Sequence, residues 1–89
     1  MTTPGHIYGA SPWTRDAVAR LRAQHPETID ALEARIPPGG HITIGASRAP
    51  GPWNAYLVID RLTVAEAREH VSVTAAAAAV LYAWEGGSR

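Results

Sequence analysis

From Val71 to Trp84 the chain reads VSVTAAAAAVLYAW, without one charged side chain. This window constrains the fold more than any other. It is shorter than the ~20 strongly apolar residues that cross a bilayer, and it is dominated by alanine, so it predicts a buried helix and no membrane span. Val73, Ala77, Val80 or Leu81, and Trp84 fall on one face at helical spacing. Ala75, Ala78, Ala79 and Tyr82 occupy the other face and carry no charge either. A helix that is apolar nearly all round needs cover on more than one side. Eighty-nine residues make a single domain, 1–89, with one modest core. Two arrangements satisfy such a helix. It lies centrally between a sheet and other helices, or a partner or second copy of the chain covers its free side.

The remaining segments read as follows. Gly5–Gly9 is a short strand. Ser11-Pro12 opens a helix that runs to Gln24, because serine caps the first turn and proline fits the first helical position. Pro26 interrupts it and starts a second helix, PETIDALEARI, with Ile29, Leu32 and Ile36 inward and Asp30 and Glu33 in water. Pro37-Pro38-Gly39-Gly40 ends that helix. HITIG and WNAYLVID are strands, the latter with Trp53, Ala55, Leu57 and Ile59 on one side. Thr63 with Glu66 is a capping box, and Leu62 with Ala67 a hydrophobic staple, which predicts a third helix from Leu62. Ser72 or Thr74 caps the last helix and Gly86-Gly87 closes it. The expected class is α+β: a small two- or three-stranded antiparallel sheet on about four helices, in the order βααββαα.

One pattern repeats. GHIYGASPW begins at Gly5 and GHITIGASRAPGPW at Gly40. A duplication would place two equivalent strands side by side and bring His6 next to His41. Chance repetition in a chain rich in glycine, alanine and proline would not.

The charges balance at zero, and all eight basic residues are arginine. That argues against a general nucleic-acid coat, which needs a strong positive excess. There is no cysteine, so disulfides, thiolate metal sites and cysteine nucleophiles are excluded. The first residues show no basic stretch leading into an apolar run, and the expected location is cytoplasmic. His6, His25, His41 and His70 have no metal-motif spacing, so neither metal nor cofactor is expected. Ser11, Ser47 and Ser72 stand in no nucleophile elbow. A cluster of His6, His41 and Asp60 is the one catalytic constellation the strands allow, and no catalytic residue is assigned.

Residues 61–87, RLTVAEAREHVSVTAAAAAVLYAWEGG, resemble the helix-turn-helix of excisionase-like and MerR-like DNA-binding proteins. Leu62–Ala67 looks like the entry to its first helix, and Val71–Thr74 like the turn. The resemblance implies DNA binding through 62–85, with Arg48, Arg61 and Arg68 meeting phosphates. The chain departs from that pattern at Ala75–Ala79, where such proteins place the polar side chains that read base edges. The leading expectation is therefore a non-enzymatic protein-binding module, an adaptor or inhibitor; phage-encoded inhibitors such as anti-CRISPR proteins are of this build. Trp53, Tyr56, Tyr82 and Trp84 are its expected partner-binding residues, toward another protein or in a homodimer.

Overall fold

The two Gly-His-Ile words lie side by side. In the computed structural model, which describes residues 5–46, 48 and 51–87, His6–Gly9 forms strand β1 and Gly40–Gly45 strand β2. They run parallel, with His6 opposite His41, Ile7 opposite Ile42 and Tyr8 opposite Thr43. Each word performs one local task twice. The isoleucines are buried in the core. The histidines alternate with them and so point to the other side of the sheet. The glycines flank Ile36: a Cβ on Gly5 would lie 2.4 Å from the Ile36 Cβ, and one on Gly40 would lie 3.3 Å from its Cγ2. The copies then slip, because the second carries one more residue, and Gly9 pairs with Ile44 instead of Gly45.

Two helices, α1 (Pro12–Gln24) and α2 (Pro26–Ala34), connect β1 to β2. This long crossover is what lets the strands run parallel. The expected antiparallel sheet is thereby corrected to a mixed one. Thr14 fastens the start of α1: its Oγ1 accepts from the Ser11 N–H at 2.8 Å, and its hydroxyl donates to the Ser11 carbonyl at 2.9 Å. Strand β3 (Trp53–Ile59) pairs antiparallel with β2, and β4 (Leu62–His70) antiparallel with β3, giving the order β1-β2-β3-β4. The last element is α3 (Val73–Gly87), where the Ala75 N–H donates to Ser72 Oγ at 3.0 Å. The order among the described residues is βααβββα, with four strands and three helices.

The largest correction falls on Leu62–His70, expected as a helix and observed as β4. The cause lies just before it. Asp60 and Arg61 both have positive φ, 51° and 69°, between the paired Ile59 and Leu62. That is the geometry of a two-residue hairpin turn whose twist matches the strands on either side. Ala65 and Ala67 then face the helices, while Glu66, opposite Tyr56, faces away. Pairing with β3 outweighs the helix preference of Glu-Ala-Arg-Glu. The helix-turn-helix resemblance loses its first helix here, and only the second of its two helices exists.

The helices cover one face of the sheet. Ile7, Ile42, Ile44, Ala55, Leu57 and Ala67 are buried beneath them. Helix α1 lies over β1, α3 lies over β3 and β4, and α2 touches both helices. In α3, Ala76, Ala77, Val80 and Leu81 are fully buried. Arg35, at the end of α2, forms an ion pair with Glu85 on α3. No helix among the described residues is long and apolar enough to cross a membrane.

Candidate functional site

The strand register decides what the uncovered side of the sheet presents. His6, His41, Val58 and Thr63 form one row across it, and Tyr8, Thr43, Tyr56 and Glu66 the next. The Tyr8 ring touches both histidines, with centroids 4.5 Å from His6 and 5.6 Å from His41. Tyr8 is half exposed, and His41, Thr43 and Tyr56 are partly so. Glu66 is the acid in these rows, and Arg68 pairs with it at 3.2 Å.

At the β1 edge this face meets a cluster the sequence did not announce. Glu33 was expected in water, yet its side chain is only 12% exposed. Its Oε2 accepts from the Ile7 N–H at 2.9 Å and from Arg22 at 3.0 Å, and lies 3.1 Å from His6 Nδ1. Its Oε1 accepts from the second Arg22 amino group at 3.0 Å. Arg22 also lies 3.4 Å from the Ile7 carbonyl and from His6 Nε2. Ile7 thus has its outward backbone donor and acceptor taken by side chains, and the edge of β1 is closed to another strand. Burial pushes the Glu33 carboxyl up, but the Arg22 hydrogen bonds, the Ile7 amide and the charges of Arg22 and His6 outweigh it and hold the carboxyl below its ordinary range. The Glu33 hydrogen bond raises Arg22 in turn, against the opposing effect of burial. No local pattern in the sequence marks this pair, because Glu33 shares the polar flank of α2 with Asp30.

Between β1 and α1 a cleft of about 190 Å³ opens, lined by His6, Tyr8, Gly9, Arg15, Ala19 and Arg22. Gly9 is obligatory there, because a Cβ would lie 2.2 Å from the Arg15 amide nitrogen. A second cleft of about 240 Å³ lies between α1 and α3, with Arg20, Leu21, Gln24, Trp53, Val71 and Thr74 around it.

The expected site residues disperse. Trp53 and Trp84 pack against the core, and Trp53 also meets Trp13 at 5.2 Å. Tyr56 lies on the uncovered face of the sheet, whereas Tyr82 is 78% exposed on α3, in the layer behind the opposite face. The four aromatics therefore form no common surface. Arg48 is exposed between β2 and β3, and Arg61 sits in the β3–β4 turn. Arg68 follows roughly 23 Å further along β4 at ordinary strand rise, so Arg61 and Arg68 stand near opposite ends of the sheet. Of the catalytic constellation, His6 and His41 meet and Asp60 does not join them: it sits in the turn past the end of β3, and the carboxylate beside His6 is Glu33. Among the described residues no three His, Asp or Glu side chains are placed to hold a metal. The Ser11 and Ser72 hydroxyls are engaged at the starts of α1 and α3, and Ser47 lies outside the described residues.

Fold and site together define a two-layer α+β domain with one sheet face left bare by the described residues and an arginine-bearing cleft at that face's edge. Comparison of the chain with known protein families, curated proteins and solved structures finds no match.

Proposed function

We propose that the chain is a non-enzymatic protein-binding module, an adaptor or inhibitor, that meets its partner with the bare face of the sheet. The observation that carries this reading is the division of the aromatic residues. Trp53 and Trp84 pack against the core, while Tyr8, Tyr56 and two histidines stand on a face that no described residue covers. Tyrosine suits such a face because a large, rigid ring gains contact area at small entropic cost. The outer edge of β4 is a poorer docking element. Its pairing with β3 breaks register twice, Glu69 has a positive φ, and Glu66 and Arg68 place charges along it. Bulges and charges of this kind discourage strand addition.

Four strands at ~4.8 Å spacing and about six residues at ~3.3 Å make a face of roughly 400 Å² in plan. That is about half of the ~800 Å² one partner contributes to a standard interface, so the expected affinity is micromolar unless the rim also engages. The test is to select cyclic peptides from a random library against the intact domain and to map the winners by amide chemical shifts. Winners should perturb Tyr8, Thr43 and Tyr56, and Tyr56→Ala should weaken them about tenfold, as hot-spot truncations do. Winners that map instead to the α1–α3 cleft around Trp53 would overturn the reading.

A further inference from the structure

We propose that the partner presents an acidic segment to this face, with one carboxylate seated in the β1–α1 cleft against Arg15. The proposal rests on the bare-face reading and names the chemistry of its partner. The charge of the whole chain is zero, but its distribution is not uniform. On the bare face Glu66 is neutralised by Arg68. At the edge Arg22 and Glu33 neutralise each other. Arg15 remains, an exposed guanidinium in the wall of the cleft with no hydrogen bond or ion pair among the described residues. Asp16 follows it in sequence, but adjacent helix positions do not face each other. Asp16, Glu27, Asp30 and Glu85 sit on the helices, Asp60 in the β3–β4 turn and Glu69 near the end of β4, two strands or more away from β1. The lining of the cleft therefore holds one uncompensated cation, Arg15, and no carboxylate among the described residues.

The rest of the cleft carries no net charge to oppose an oxyanion at Arg15. Arg22 is held at two nitrogens by Glu33, so its guanidinium is fixed instead of swinging in solvent. Tyr8 and His6 stand at the mouth with their rings in contact. Arg15 supplies the planar donor fork that matches a carboxylate. A nucleic-acid strand has the same charge sign and fits less well. Proteins that hold one through phosphates make about 6–10 such contacts, and the cleft offers only Arg15 uncompensated among the described residues.

The experiment uses fluorescence anisotropy with three labelled probes on the intact protein. They are a short peptide alternating glutamate with tyrosine and glycine, its glutamine counterpart, and an oligouridine of equal length. Two variants change the net charge equally: Arg15→Glu in the β1–α1 cleft and Arg20→Glu in the α1–α3 cleft. The expected result is that the glutamate peptide binds and the glutamine peptide binds at least about fivefold more weakly. Arg15→Glu should cost about tenfold and Arg20→Glu less than about threefold, while Arg15→Lys should restore only part of the loss. Equal losses in the two glutamate variants would reduce the effect to net charge and overturn the proposal. Tighter binding of oligouridine would also overturn it, in favour of nucleic acid. If the glutamate peptide fails while library-selected peptides still map to Tyr8 and Tyr56, the acidic partner is refuted and the bare-face reading stands. If those peptides map elsewhere, both fall.

Discussion

Glu33 is the side chain on which β1, α1 and α2 converge. It accepts from Ile7 and Arg22 and lies 3.1 Å from His6 Nδ1, so removing its charge leaves the Arg22 guanidinium without its counter-ion. Breaking a partly buried, charge-assisted network of this kind costs about 2–4 kcal/mol. Glu33→Gln should lose that much in urea unfolding at neutral pH, with its slope unchanged. The pH dependence follows from the direction of the shift. The folded-state pKa of Glu33 lies below its ordinary value of 4.5, so the stability it contributes is complete above that value. That contribution is lost as pH falls through the lower, folded-state value. The wild type should therefore lose its advantage over Glu33→Gln as pH falls below 4.5 and through the lower folded-state value. Thermal unfolding of both proteins across that range measures it, and a gap that stays constant would show that Glu33 is not the titrating group. No periodicity marks this residue beforehand. Glu33 reads as solvated because Asp30 and Glu33 share the polar flank of α2, and only the tertiary placement of β1 turns that flank toward a backbone edge.

The Asp60-Arg61 turn shows why one element escaped the sequence reading while its neighbours did not. Alternation in HITIG and WNAYLVID and the Ser-Pro start of α1 are local signals, and each element formed where its signal lay. The hairpin turn carries neither asparagine nor glycine, the residues that usually announce such geometry. The capping-box pattern Thr63–Glu66 therefore stood unopposed in the sequence. The same turn predicts a stabilising change. Two non-glycine residues at positive φ each carry steric cost, so Asp60→Asn with Arg61→Gly should raise stability by about 1 kcal/mol after the entropy of the new glycine is deducted. A urea midpoint that fails to rise would mean the turn is held by contacts of the Arg61 side chain. Gly9 tests the opposite end of the sheet. A Cβ there meets Arg15 and Thr14 backbone atoms within 2.5 Å, and backbone yields less easily than a side-chain tip. Gly9→Ala should cost about 2–4 kcal/mol, read from the same transition.

The two layers give the molecule two chemically separate sides, and this separation can be measured. The apolar circumference of α3 implied cover from more than one direction. The sheet beneath it and α2 beside it supply that cover, which leaves Tyr82 and Ala83 in solvent. Ala76 and Ala77 on the helix face a sheet side that carries Ala55, Ala65 and Ala67, and small residues on both surfaces let the helix sit close. Stability should accordingly reside on this side. Leu81→Ala should cost about 2–5 kcal/mol, a large share of the roughly 5–13 kcal/mol available to a domain of this length. Tyr82→Ala, one residue along the same helix, should stay within about 0.5 kcal/mol. Tyr56→Ala on the bare face should also leave unfolding nearly unchanged while removing most of the affinity for a mapped peptide. Leu81→Ala should do the reverse below its unfolding transition, with stability lost and affinity kept. Paired urea and binding measurements on the three variants decide this. Should Tyr56→Ala instead unfold the protein, the tyrosine row would be structural, and the bare face would serve the fold before it served a partner.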